Sequence, residues 1–236
     1  MTNRTLDTSR QFYAKLAGFT FLFYIAVGIT NEVLFHRAVS GEGTAAIFSS
    51  IGMHATDVRV AMLMQLLECF SALVLGVAMY GITRDEDHEL AMLGMAFRVG
   101  EGVISATGIP NTLGILWLAT SGSGAGGPDA ATANTLGTFL LMPVPSIPIG
   151  AIFFAVGSTI FSYLLLRGRM IPVVLAWFGV LASVLLVVWL ALQLVGFLEG
   201  PLAGVYQWLP VFVFQVALAL WLLIKGVAPS ALRQSA

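Results

Sequence analysis

Charged side chains are scarce: they make up 10% of the 236 residues, against about 25% in a soluble domain whose surface must face water. So little charge cannot cover a water-exposed globule, so lipid must act as solvent for the apolar surface. No sign of charge dominates either; the formal net charge is −1, which excludes the basic footprint of a nucleic-acid-binding face. Cysteine is nearly absent, Cys69 standing alone inside an apolar run, so no internal disulfide forms and the redox compartment stays unread. Lipid attachment signals are missing: Met1-Thr2 lacks the glycine that myristoylation needs, and Arg233-Gln234-Ser235-Ala236 has no cysteine to prenylate. No histidine falls inside an apolar run, so paired haem ligation is unsupported, and no cofactor is implied. No G-x-S-x-G elbow and no phosphate-binding GK[ST] occurs.

What the chain has in quantity is apolar sequence, 58% of its residues, with a mean hydropathy of +0.92. It falls into six runs, at about 12–34, 58–82, 90–119, 144–166, 171–197 and 205–226. A helix needs roughly 20 residues to cross a bilayer, and barrel strands of about 9–11 are far shorter than these runs. The expected fold is therefore all-α, a six-helix polytopic bundle in a single membrane domain. The first run is too long for a signal peptide core of about 7–15 residues, and Thr30-Asn31-Glu32-Val33 is no cleavage site, so it reads as a retained helix.

Orientation follows the basic residues. With six crossings, Arg4, Arg10, Lys15, Arg84, Arg167, Arg169, Lys225 and Arg233 share one side; Arg37 and Arg59 lie on the other and Arg98 within a span. Both termini are expected in the cytoplasm. On the outer side, residues 35–57 read as a short ordered cap and residues 120–135, with the run Ser121-Gly122-Ser123-Gly124, as a flexible loop. Pro143, Pro145 and Pro148 interrupt the helical ladder before the fourth span, so residues 134–148 read either as a re-entrant segment or as a surface loop. No internal repeat supports an inverted-repeat transporter.

Charge at bilayer depth is costly unless paired or turned toward a cavity. Glu68, Arg98 and Glu101 are in this position. At about 1.5 Å rise per residue they lie about 14, 12 and 16 Å from their points of entry, near the middle of a core about 30 Å thick. Gly94, Arg98, Glu101, Ser105, Gly108 and Thr112 trace one stripe on the third helix by steps of four and three. Asp57, Ala61, Gln65, Glu68 and Ala72 do so on the second helix, and Tyr24, Gly28 and Asn31 on the first. The three helices are expected to pack around this polar seam. Arg98 and Glu101 at i,i+3 can form an ion pair that Glu68 completes as a structural triad. Alternatively Arg98, Glu101, Glu68, Gln65, Tyr24 and Asn31 bind a small or lipid-like molecule. Two carboxylates against one guanidinium leave a surplus negative charge, so either one carboxyl keeps its proton or a cation or polar ligand completes the site.

The stretch Ala91-Met92-Leu93-Gly94-Met95-Ala96-Phe97-Arg98-Val99-Gly100-Glu101 resembles the ALL-x-x-FR-x-x-E segment of a bacterial membrane family catalogued as domain of unknown function 4386. Lys15-Leu16-Ala17-Gly18 and Ile152-Phe153-Phe154-Ala155-Val156-Gly157 are similar to it as well. So is the turn from Tyr163 through Arg167-Gly168-Arg169 to Pro172, with Gly168 where the family usually has serine. The resemblance covers roughly residues 10–185 and implies a bacterial multipass protein marked at Arg98 and Glu101. It implies no substrate, cofactor or reaction.

A metal constellation is the remaining candidate chemistry. Glu32 with His36 and His54 with Asp57 are spaced to share helical faces, a set suited to zinc in an intramembrane enzyme. Arg37 and Arg59 are expected at lipid phosphates, and His88 in a solvated charged turn. Trp208, Tyr206 and Trp221 read as interfacial anchors, and Gln193, Gln207 and Gln215 as interhelical hydrogen-bonders or cavity-lining groups. Three functional classes follow: a ligand-binding bundle serving transport or sensing, a scaffold whose ion pairs are structural, and the metal enzyme. Expected partners are membrane lipids, a small amphiphilic ligand, and a second copy or another membrane protein; nucleic acid is not among them.

Overall fold

The computed structural model describes residues 3–121, 127–141, 149–198 and 205–228, and every regular element within them is helical. In chain order these are α1 (Asn3–Ala38), α2 (Thr44–Met53), α3 (Ala55–Thr83), α4 (His88–Ala106), α5 (Gly108–Thr120), α6 (Ala130–Leu141), α7 (Ile149–Arg167), α8 (Val173–Leu194) and α9 (Leu209–Ile224), α9 being preceded by a 3₁₀ turn at Val205–Trp208. Six stretches are long and apolar enough to cross a membrane: Thr8–Ala38, Ala55–Thr83, His88–Thr120, Ile149–Arg167, Val173–Leu194 and Tyr206–Ile224.

The spanning helices form a closed ring. α1 packs on α3, α3 on α4, α4 on α7, α7 on α8, α8 on α9, and α9 returns to α1. Short helices α2 and α6, with α5, cap the end opposite the termini. Small residues make these approaches possible. A Cβ on Gly18 of α1 would stand 2.8 Å from the Ala219 carbonyl of α9, and one on Gly102 of α4 would stand 2.8 Å from the Cys69 carbonyl of α3. Large apolar side chains such as Phe19, Leu63, Val103, Val174 and Leu181 point outward, as suits a rim solvated by lipid.

Two regions depart from the sequence reading. The third span is broken at Thr107 between α4 and α5. Pro110 is the cause: it has no N–H to reach the carbonyl of residue 106, and its ring crowds that carbonyl. The loop expected through residue 135 is also shorter than its composition suggested, because α6 begins at Ala130. Asp129 caps it, accepting from the Thr132 amide at 2.8 Å and from the Thr132 hydroxyl at 3.1 Å. Pro143, Pro145 and Pro148, and with them the choice between a re-entrant segment and a surface loop, lie outside the described residues.

The half of the bundle near the termini is closely packed. Its core includes Ala17 and Phe21 of α1, Leu75 and Met79 of α3, Leu164 and Leu165 of α7, and Leu218 and Leu222 of α9. Beyond that core a polar lattice ties the loops together. Arg10 is buried and donates from Nε to the Ile82 carbonyl at 3.3 Å and from Nη2 to the Met170 sulfur at 3.3 Å. Gln11 brackets the far end of the chain, donating to the Val227 carbonyl at 2.7 Å and accepting from the Val227 amide at 3.3 Å. The backbone there turns through Gly226 at φ 71°, and any side chain at that position would run into the Gln11 amide. Arg167 reaches from the end of α7 to Glu86 at 3.3 Å and to Asp87 at 3.0 Å.

Asp87 is the N-cap of α4, accepting from the Leu90 amide at 3.0 Å. That bond, with Arg167 beside it, holds the Asp87 carboxyl below its ordinary range. A group depressed on folding stabilises the fold fully above its unfolded value of about 3.9 and loses that contribution as pH falls through the folded value. Asp87→Asn keeps a capping oxygen but removes the charge. The variant's melting temperature in nanodiscs should therefore fall less than wild type's between about pH 6 and about pH 3. Equal falls in both proteins would remove Asp87 from the acid limb.

Candidate functional site

Arg98 enters the bundle from α4 through a slot made by two glycines. A Cβ on Gly76 of α3 would stand 3.0 Å from the Arg98 Cβ, and one on Gly157 of α7 would stand 3.4 Å from its Cδ. Larger residues at either place would push the helices apart. Through this slot the guanidinium reaches the ring centre at 2% exposure, beside Glu101 at 3%. Arg98 Nη1 is 2.7 Å from Glu101 Oε2, and the Tyr24 hydroxyl of α1 donates to Glu101 Oε1 at 2.8 Å. The carboxylate thus faces a cation on one oxygen and a hydroxyl on the other.

Aromatic faces complete the cage. The Arg98 Cζ lies 5.4 Å from the Tyr24 ring centre and 5.1 Å from that of Phe154 on α7. The two rings are stacked at 6.4 Å. Away from water such contacts are each worth about 2 kcal/mol. Arg98, Glu101, Tyr24 and Phe154 therefore lock α4 to α1 and α7 in one rigid unit.

Glu68 of α3 stands beside this unit without an ion pair among the described residues. It lies within hydrogen-bond reach of the Tyr24 hydroxyl and electrostatic reach of Glu101 and Arg98. Gly28 of α1 leaves it room, since a Cβ there would be 3.2 Å from Glu68 Oε1. One turn farther from the termini, a cavity of about 230 Å³ opens between α1, α3 and α5. Asn31, Glu32 and Gln65 line it, together with Asn111, Thr112 and Gly108. The Gln65 amide is fixed by donating to the Ser105 carbonyl at 3.1 Å, beside the helix break, and Gly108 lets it pass: a Cβ there would be 2.9 Å from its nitrogen. The Glu32 side chain is 69% exposed, so the cavity communicates with the exterior.

The family described as Domain of unknown function (DUF4386) matches residues 16–226. The chain belongs to that family. The matched stretch contains the Arg98–Glu101 pair, the glycine slot, the cavity and the Arg167 turn. No curated protein and no solved structure matches the chain.

The structure thus separates the residues singled out from sequence. Tyr24, Arg98 and Glu101 form one bonded unit with Glu68 at its edge, whereas Gln65 and Asn31 belong to the cavity. The four metal-site candidates are not brought together. His36 bonds Glu32 at 2.8 Å, Asp57 lies 3.7 Å from Arg37, and His54 contacts the Ser50 carbonyl at 2.9 Å. Among the described residues no group of three or more His, Cys, Asp or Glu is placed to hold a metal ion. Glu32 and His36 pair with each other on α1, while Asp57 of α3 faces Arg37 rather than a histidine. Trp208 packs on Phe154 with ring centres 6.3 Å apart, while Tyr206 is exposed. Sequence reasoning missed Phe154, Asn111 and the glycine slot. Phe154 lies in a stretch that resembles the family but has no polar atom to mark it as part of a site, whereas Pro110 beside Asn111 was a usable sign of an opened helix.

Removing one partner of a buried ion pair strands the other and costs about 3–5 kcal/mol, whereas replacing both with apolar groups is often neutral. Arg98→Met should therefore destabilise the protein strongly in thermal unfolding, and Arg98→Met/Glu101→Leu should recover most of the loss. A double variant no more stable than the single one would show that the two are not energetically coupled.

Proposed function

We propose that the protein is a membrane-embedded binding protein whose ligand is a small, hydrogen-bonding molecule bearing positive charge. It occupies the cavity between α1, α3 and α5, with the Tyr24–Arg98–Glu101 unit as a rigid wall behind it. The observation that carries this reading is the lining itself. An otherwise apolar bundle holds a cavity edged by two asparagines, a glutamine, a threonine and a carboxylate, with no basic side chain. Buried polar groups need partners, and a cavity of amides and hydroxyls suits a solute that both donates and accepts. Glu32 at the mouth and Glu68 one turn below Gln65 favour a cation, because the Arg98 guanidinium is already held by Glu101. Such a lining also favours a polar solute over a lipid tail.

The distribution of Lys and Arg supports cytoplasmic termini, in what we take to be a bacterial inner membrane. The cavity then faces outward, while the closely packed half near the termini seals the inner side. In this arrangement the ligand is collected from outside, for sensing or as the first step of uptake.

A second reading rests on the closure of the Arg98 unit. A guanidinium bonded to its own helix partner and capped by two rings is also what a purely structural device looks like, and it suits a scaffold subunit of a larger membrane assembly.

Native mass spectrometry from nanodiscs separates the two. Wild type should carry an extra mass that Gln65→Leu and Glu68→Gln lose, while Gln65→Leu keeps the folded fraction of wild type. A clean chain mass in wild type, accompanied by a co-purifying membrane protein, would favour the scaffold.

A further inference from the structure

Between α4, α7 and α9, on the side of Arg98 away from the large cavity, lies a second and much smaller void of about 20 Å³. Arg98, Ser158, Ser162 and Gln215 are its polar lining, set among apolar side chains. Two of these residues have donors without protein partners among the described residues: Arg98 Nη2 and Gln215 Nε2. Arg98 is 2% exposed and Gln215 5%, so bulk water does not satisfy them. Gln215, expected from sequence as an interhelical hydrogen-bonder, has no partner for its Nε2 on a neighbouring helix among the described residues.

We infer that this void is a binding site for one structural water molecule, which joins Gln215 of α9 to Arg98 of α4. Size, donors and charge agree. A water needs about 10–15 Å³ of room for its centre and two to four polar partners, so the void holds one and not a chain of them. The lining offers a guanidinium, an amide and two hydroxyls. A water accepts from the first two through its lone pairs and donates to serine oxygens, which are both acceptors and donors. A cation is repelled by the guanidinium. An anion finds Arg98 already paired, with Glu101 Oε2 2.7 Å from Nη1 and Glu68 close by, and would add a further negative charge to a site that already has a surplus.

The water gives α9 a connection to the polar centre that its direct contacts with α1 and α8 lack. Gln215 thereby acts as a positioning residue. Through the water it fixes the free edge of the guanidinium, holding the plane over Tyr24 and Phe154 while Glu101 holds the other edge. The polar seam ends there, since Leu165, Leu218 and Met79 close the void toward the termini.

The test is a structure of the full chain in nanodiscs at a resolution that shows ordered water, with crystals of the same protein soaked in bromide. One solvent peak within hydrogen-bond distance of both Gln215 and Arg98, without anomalous signal from bromide, is the expected result. An anomalous peak at that place would make the site an anion site and overturn the inference. A second measurement turns on sign. If the amide is bonded to water, Gln215→Met removes that bond and should lower the melting temperature by about 2–4 °C, the shift expected for one hydrogen bond in a chain of this size. If the void is dry, the same substitution removes an unpartnered buried amide and raises the melting temperature. That rise, with an empty void in the density, would end the proposal.

Discussion

Arginine cannot discharge itself at any pH a cell meets. A lysine or carboxylate stranded in hydrocarbon can become neutral; Arg98 cannot, so the surrounding structure has to adapt to it. Much of the architecture around the ring centre is that adaptation. Glycine at two facing positions admits the side chain, a carboxylate one turn along the same helix balances its charge, and a phenol from α1 holds that carboxylate. Two aromatic faces cover the guanidinium plane. The components come from four spanning helices, α1, α3, α4 and α7, with α4 giving the charge pair. The arrangement therefore fixes rotation and height for several helices at once, which unspecific apolar packing cannot do between surfaces that lipid wets equally well.

The two halves of the bundle differ for the same physical reason. Near the termini, leucines, alanines and methionines meet without polar interruption, and the lattice of Arg10, Gln11, Glu86, Asp87 and Arg167 ties chain ends and turns together outside the apolar core. Toward the opposite end, Pro110 breaks the third span, leaving backbone that helix geometry no longer satisfies. Non-helical backbone at such depth persists only where protein or a polar cavity covers it. Gln65 supplies part of the cover by binding the Ser105 carbonyl, and the cavity lies beside it. A single proline thus links the local chain geometry to the presence of a polar space inside a membrane protein.

Topology and the position of the charged cluster were legible in the sequence because both follow from simple periodicities. Apolar runs of spanning length identify the helices, and a rise of about 1.5 Å per residue is enough to bring Glu68, Arg98 and Glu101 to one level. The stripes through Tyr24 and Arg98 likewise predicted a meeting that the hydrogen bond from Tyr24 to Glu101 displays. The partner ring was not legible: Phe154 is one apolar residue among many, and only the arrangement of α7 against α4 selects it. Ring closure by α9 against α1 is invisible to periodicity for the same reason. The proposed metal residues had helical spacing within each pair, but Glu32 and His36 end α1 while His54 and Asp57 open α3, and spacing has no predictive value across the turn and short helix between them. Asp129 was a capping signal within a stretch whose glycines suggested only flexibility.

Pairing within the cluster accounts for one carboxylate and no more. Glu101 has Arg98 on one oxygen and Tyr24 on the other, so its acceptor capacity is largely used and its charge is balanced. Glu68 stands at the same level with the same hydrocarbon around the bundle, but the nearest guanidinium is committed elsewhere. A structural triad would have drawn Glu68 onto the free edge of Arg98; that edge instead faces α9 and Gln215. Glu68 lies beside Gly28, where α1 is thinnest, one turn below the amide that lines the cavity. A carboxylate that meets the lock only through the Tyr24 hydroxyl, without an ion pair of its own among the described residues, and placed next to a polar space is more economically explained as a group facing a solute than as a support for the helices. On the proposed reading the rigid unit and the cavity are neighbours with separate tasks: Arg98 and Glu101 hold the wall, and Glu68 is what the wall presents.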